Sequence, residues 1–125
     1  MRARQQLKAV ILMVDDDASV RLSTSRLLSA HGYAVFEVAS AALALQRAVE
    51  VQPDVILMDL HMPQLSGIDA AHEIKQLAEL QRTPIIAISA TPPDWVHESK
   101  LFVTVLHKPY TSMELLTALA AAVQR

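Results

Sequence analysis

Short apolar runs alternate along this chain with longer stretches of helical spacing. The runs are Ala9 to Val14, Tyr33 to Val38, Val55 to Met58, Pro84 through Ile88, and Phe102 to Leu106. The first is continuous and apolar, as a strand covered on both faces should be. Tyr33 to Val38 has weaker strand character. Between the first two runs, Ala18 to His31 places Val20, Thr24, Leu27 and Leu28 on one side of a helix, and Gly32 is placed to end it. Ser40 suits the N-cap of an Ala/Leu-rich helix through about Val51, which Pro53 and Asp54 break. Ile68, Ala71, Ile74 and Leu77 mark the apolar face of a third helix. Thr111 and Glu114 form a capping-box pattern ahead of Leu115, Leu116 and Leu119. Strands alternating with helices predict a parallel sheet covered by helices on both faces.

One interval departs from this rhythm. Thr91-Pro92-Pro93-Asp94 reads as a turn, leaving Trp95 to about Lys100 for a helix before the last strand. Such a helix has about two turns at most, below the usual mean.

The chain's 125 residues, 52% of them apolar and 19% charged, suit one compact domain with a real core. With no cysteine there is neither a disulfide framework nor a thiolate metal site. The formal charge of −2, the absence of a basic patch and the scarcity of aromatics speak against direct nucleic-acid binding. No apolar run approaches the ~18 residues of a membrane span. The basic start, Met1 to Lys8, is followed by a short run ending in aspartates rather than a signal-peptide core. A cytoplasmic protein is expected, with residues 1–8 as an N-terminal extension and 9–125 as the domain.

The candidate chemistry lies at the strand ends. Asp15, Asp16 and Asp17 follow the first run, Asp59 the third, Ser89 the fourth, and Lys108 stands shortly after the fifth. In one parallel sheet these positions share the carboxyl edge, where open α/β sheets bind ligands. Two carboxylates ~4 Å apart at an effective dielectric of ~20 repel by about 4 kcal/mol. The cluster therefore needs solvent or a cation, and all-oxygen ligands favour Mg²⁺ or Mn²⁺. Each residue has a plainer reading by itself: a helix N-cap for the triplet, a turn former for Asp59, a capping hydroxyl for Ser89, a solvated amine for Lys108. Their coincidence at four strand ends points instead to a site for a divalent cation and a phosphoryl group. In that site the Asp59 carboxylate can be a ligand or a nucleophile. His31, His72, His97 and His107 show no metal-ligand spacing.

These residues resemble the receiver domain of bacterial response regulators. The likeness rests on Ile11-Leu12-Met13-Val14-Asp15-Asp16-Asp17, on Met58-Asp59-Leu60-His61-Met62-Pro63 with Gly67, on Ser89-Ala90, and on His107-Lys108-Pro109-Tyr110. It spans nearly the whole chain. It implies a flavodoxin-like, doubly wound five-stranded parallel sheet in order 2-1-3-4-5. It implies Asp59 as phosphoacceptor, Asp16 binding Mg²⁺ directly, Asp15 largely through water, and the His61 carbonyl as a further ligand. Ser89 and Lys108 would contact phosphoryl oxygens, while His61 and Thr91 would tune dephosphorylation. The donor would be a phosphohistidine on a sensor histidine kinase or a histidine phosphotransfer domain, and a fused output or kinase domain is possible. Receivers catalyse their own phosphorylation and slowly lose the group to water. This is the behaviour of a signalling domain rather than of a metabolic enzyme.

The chain also departs from the pattern. Where the family usually carries an aromatic switch residue, three positions before the lysine, Val105 stands. Tyr110 is common at its own position and does not replace it. The interval from Ser89 to Lys108 is short, lacks the customary Gly-Ala and contains Pro92 and Pro93. Retained phosphorylation with a remodelled output face is expected. Two other classes compete. Asp15-Asp16-Asp17 partly fits the first motif of haloacid-dehalogenase-type phosphohydrolases, with Asp15 as nucleophile and Asp17 as general acid/base. The last acidic motif of that family is missing. A receiver-like interaction module that never uses phosphate is the other alternative.

Overall fold

The computed structural model describes residues 7–62 and 66–124. Most of the N-terminal extension and Pro63, part of the loop motif, lie outside the described residues. Five strands form one parallel sheet: β1 (Ala9–Val14), β2 (Tyr33–Val38), β3 (Val55–Asp59), β4 (Ile85–Ser89) and β5 (Thr104–His107), in the order β2-β1-β3-β4-β5. The helices are α1 (Ala18–Ala30), α2 (Ala41–Val51), α3 (Gly67–Gln76) and α4 (Ser112–Val123). Short 3₁₀ turns lie at Ala78–Leu80 and Asp94–Glu98. The architecture is the doubly wound one expected from the alternation of runs and helical stretches.

Pleating sorts the strand residues onto two faces. Leu12, Val14, Ile56, Met58, Ile85 and Ala87 face one core, shared with α2 and α3. Ile11, Met13, Val55, Leu57, Ile86 and Ile88 face the other, shared with α1 and α4. Because β1, β3 and β4 are covered on both sides, their residues are apolar without alternation, which is why they read as continuous runs.

The helix ends follow their sequence signals. Asp17 caps α1, its carboxylate accepting from the Ser19 and Val20 N–H groups, and Gly32 beyond its end takes φ +92°, a conformation suited to glycine. Ser40 caps α2 and Ser66 caps α3. Thr111 and Glu114 close the capping box of α4. Gly67 is required by close approach: a Cβ there would overlap the Asp59 carbonyl oxygen. This lets the first turn of α3 sit directly behind the end of β3.

The boundaries of three strands differ from expectation, β4 also beginning at Ile85 rather than Pro84 and β5 ending at His107 rather than Leu106. β3 and β4 each extend one residue further, so that Asp59 and Ser89 are strand residues. β5 begins at Thr104 rather than Phe102. Phe102 is buried in the core that also holds Val96 instead, while the Val103 N–H already bonds the Ile85 carbonyl. An apolar lead-in that buries its side chain has the same pattern as a strand residue. Between β4 and β5 the expected short helix over Trp95 to Lys100 is a five-residue 3₁₀ turn at Asp94–Glu98, without a side-chain cap. Pro93 stands at its N-cap position, Val96 is buried, and Trp95 is 47% exposed.

Candidate functional site at the carboxyl edge of the sheet

The sheet register brings the polar strand ends together. Val14 pairs with Met58, Asp59 with Ile88, and Ser89 with His107. Asp15, Asp59, Ser89 and Lys108 thus stand at the ends of neighbouring strands. Backbone bonds fix these ends: the Asp15 N–H donates to Val38, Leu60 to Ile88, and Lys108 to Ser89. One carboxylate oxygen each of Asp15, Asp16 and Asp59 lies within 4.8 Å of the others. The Lys108 ammonium stands 3.4 Å from Asp59 Oδ2. Three carboxylates and one ammonium leave a formal charge of −2, which one divalent cation would neutralise.

Burial sharpens the electrostatics. Asp15, Asp59 and Ser89 are buried, whereas Asp16 is exposed. Desolvation pushes the Asp15 carboxyl above its ordinary range, and the charges of Asp59 and Asp16 add to this. The Asp17 N–H, donating to Asp15 Oδ1, and the Lys108 charge oppose it. The site therefore holds negative charge at a cost to the fold, an arrangement common at functional positions.

The loop after β3 adds a second layer of contacts. The His61 N–H donates to Asp59 Oδ1 at 2.9 Å. The His61 ring turns toward Ser89, with Nε2 2.7 Å from the serine Oγ and 3.4 Å from Thr91 Oγ1. The Thr91 N–H donates to the same serine oxygen at 3.1 Å. Of the residues singled out from the sequence, Asp15, Asp16, Asp59, His61, Ser89, Thr91 and Lys108 thus gather here, whereas Asp17 caps α1 and Val105 packs at the side of the core shared with α2 and α3. Tyr110 packs in the opposite core, beside Thr24 and Leu27, where burial pushes its phenol upward.

The model of the response regulator receiver domain matches residues 11–120. The chain belongs to this family. Among curated relatives, the polar-differentiation response regulator DivK of Brucella ovis is 35% identical over 83 residues, spanning 66% of this chain and 67% of DivK. The protein-glutamate methylesterase/protein-glutamine glutaminase of Archaeoglobus fulgidus is 32% identical over 90 residues. That match takes in 71% of this chain but a quarter of the methylesterase's length. Among solved structures, the receiver domain of the sensor histidine kinase PA1611 from Pseudomonas aeruginosa superposes with a TM-score of 0.84 at 31% identity. It covers 94% of this chain and 98% of that one, and carries a magnesium ion in its active-site cleft.

Membership resolves the competition from the phosphohydrolase reading, and so does local geometry. Asp17, which that reading needs as general acid/base, has its Oδ1 engaged at the α1 N-terminus by the Ser19 and Val20 N–H groups. One residue in contact with the site was not singled out from the sequence. Arg21 reaches back from α1 so that its Nη1 donates to the Asp15 carbonyl at 2.7 Å, while Nε pairs with Glu37 at 3.5 Å. Its position one turn into α1 was the available signal. No helix among the described residues is long and apolar enough to cross a membrane.

Proposed function

We propose that this receiver accepts a phosphoryl group from a phosphohistidine onto the carboxylate of Asp59. In that step an Asp59 oxygen forms a bond to phosphorus as the phosphorus–nitrogen bond of the donor breaks, and the departing imidazole keeps the bond's electrons and takes up a proton. The observation that carries the reading is the convergence of Asp15, Asp16 and Asp59 within 4.8 Å beside the Lys108 ammonium. An all-carboxylate donor set with a formal charge of −2 fits a hard divalent cation, Mg²⁺ or Mn²⁺. Asp15, Asp16, Asp59 and the His61 carbonyl would hold it, and when bound it supplies neutralising charge for the incoming phosphoryl oxygens.

The remaining work belongs to the chain. Lys108 offers a point charge to a phosphoryl oxygen and Ser89 a hydroxyl donor. Asp59 is held by the His61 N–H and by the end of β3, so that catalysis is chiefly positioning and charge neutralisation. His61 and Thr91 border the phosphoryl position and set how readily water reaches it. A sensor histidine kinase or a histidine phosphotransfer domain, in the cytoplasm, is the donor. Residues 9–125 form the receiver and 1–8 an extension. The methylesterase and sensor-kinase relatives support a fused output or kinase domain as a possible context.

Phosphotransfer from a phosphorylated histidine domain tests this. Wild type gains the mass of one phosphoryl group in a Mg²⁺-dependent manner, Asp59→Asn gains none, and peptide mapping places the group on Asp59. A group on Asp15 would revive the hydrolase reading. No transfer and no Mg²⁺-dependent beryllofluoride binding would return the domain to a phosphate-independent interaction module.

A further inference from the structure

The Ser89 hydroxyl is fully buried, with one proton to donate and two lone pairs. The Thr91 N–H occupies one lone pair. His61 Nε2, 2.7 Å away, engages either the proton or the remaining lone pair, depending on the tautomer of the ring. The same residue's N–H donates to Asp59 Oδ1. His61 therefore touches Asp59 with its backbone and Ser89 with its ring. From Ser89 the contact continues through Thr91 into the segment that leads to the 3₁₀ turn carrying Val96 and Trp95. At Val105 the alternative route through β5 offers no polar side-chain atom and no ring. Tyr110 lies in the core on the other side of the sheet.

We propose that His61 is the positioning residue through which occupancy of Asp59 is transmitted to Ser89 and on to the 3₁₀ turn. The inference rests on the phosphoacceptor reading of Asp59. A phosphoryl group on Asp59 draws the Ser89 proton, so a ring that accepts this proton must let go or turn donor, and a ring that already donates to the serine is held in that tautomer. The phosphoryl group also changes the carboxylate oxygen on which the His61 N–H is anchored. Backbone and ring respond together, and Ser89 draws the Thr91 N–H with it. The loop after β3 thereby does what a side chain as short as Val105 cannot.

Trp95, the sole tryptophan, reports on the turn through its emission. The full chain is titrated with beryllofluoride and Mg²⁺, and bound fluoride is measured on the same sample by fluorine NMR, so that the change in emission is expressed per occupied site. Wild type is expected to respond. His61→Ala is expected to lower the response per occupied site about threefold, the scale of losing one hydrogen bond. His61→Gln, whose amide can reach the Ser89 hydroxyl, is expected to recover most of it, which a merely structural role of the ring would not produce. An undiminished response in His61→Ala overturns the inference, and so does a wild-type Trp95 that stays silent while beryllofluoride is bound. If wild type binds no beryllofluoride, the Asp59 reading itself fails and takes the inference with it.

Discussion

The carboxyl edge of the sheet and the crossover between β4 and β5 solve opposite problems. At the edge, Asp15 and Asp59 are buried beside one another, an arrangement that works against folding unless a cation joins them. The backbone around them is closely specified: capped helices, strand ends in register, and a glycine against the Asp59 carbonyl. In the crossover, regular structure is given up. A five-residue 3₁₀ turn replaces a helix, yet Val96 and Phe102 still plug the core beneath it. Function here is bought with destabilising charge on a rigid frame, while the crossover retains its packing and discards its shape.

The contrast can be broken at its most rigid point first. Gly67→Ala pushes a Cβ into backbone at the end of β3, so either α3 or the Asp59 strand end must shift. We expect a loss of about 3 kcal/mol, the upper range for overpacking, measured by urea denaturation. A loss under about 0.5 kcal/mol, the range of unremarkable surface substitutions, would mean that the frame yields more easily than its geometry implies.

On the crossover side, Val96→Ala removes two buried carbons from under the turn. It should cost about 2 kcal/mol in the same assay. A neutral result would show that the turn is not anchored by its apolar plug.

Asp15→Asn should move stability the other way. The folded-state carboxyl titrates above its ordinary value because burial disfavours its charged form. Wild type therefore bears no penalty at a pH below the ordinary carboxylate value, and the penalty grows as pH rises from there to the raised folded value, above which it is complete. At pH 7 without divalent cations, Asp15→Asn should be the more stable protein, with the higher Tm. The advantage should vanish by pH ~3.5, and one that persists there would assign the gain to something other than charge. The same variant should bind Mg²⁺ more weakly, as tryptophan emission or calorimetry would register.

The smallest effect is expected at the exposed surface of the crossover. Trp95→Ala should change stability by no more than about 0.5 kcal/mol. A larger loss would mean that the turn depends on the indole as well as on Val96.

Most of the frame was legible in the sequence because its signals are local. Continuous apolar runs identify strands buried on both faces, and Asp17, Ser40 and Thr111 mark helix starts by side-chain chemistry within a few residues. The candidate site was legible because its residues stand at or just past strand ends, and a parallel sheet sends every carboxyl strand end to one edge. The start of β5 was not legible: Phe102 is as apolar as a strand residue, and only the closed sheet shows that it fills the core ahead of the ladder, which begins at Thr104.

What the chain alone determined, then, was the alternation of strand and helix and the set of groups at the sheet edge. Both depend on spacing within a few residues. Tertiary structure alone decided which groups meet. The His61 ring bonds Ser89 from 28 residues away, Arg21 reaches the Asp15 carbonyl, and Asp17 turns to the helix while Asp15 and Asp16 turn to the cluster. Such choices depend on how neighbouring strands are staggered and where a loop folds back, and these distances do not exist until the sheet has closed around its two cores.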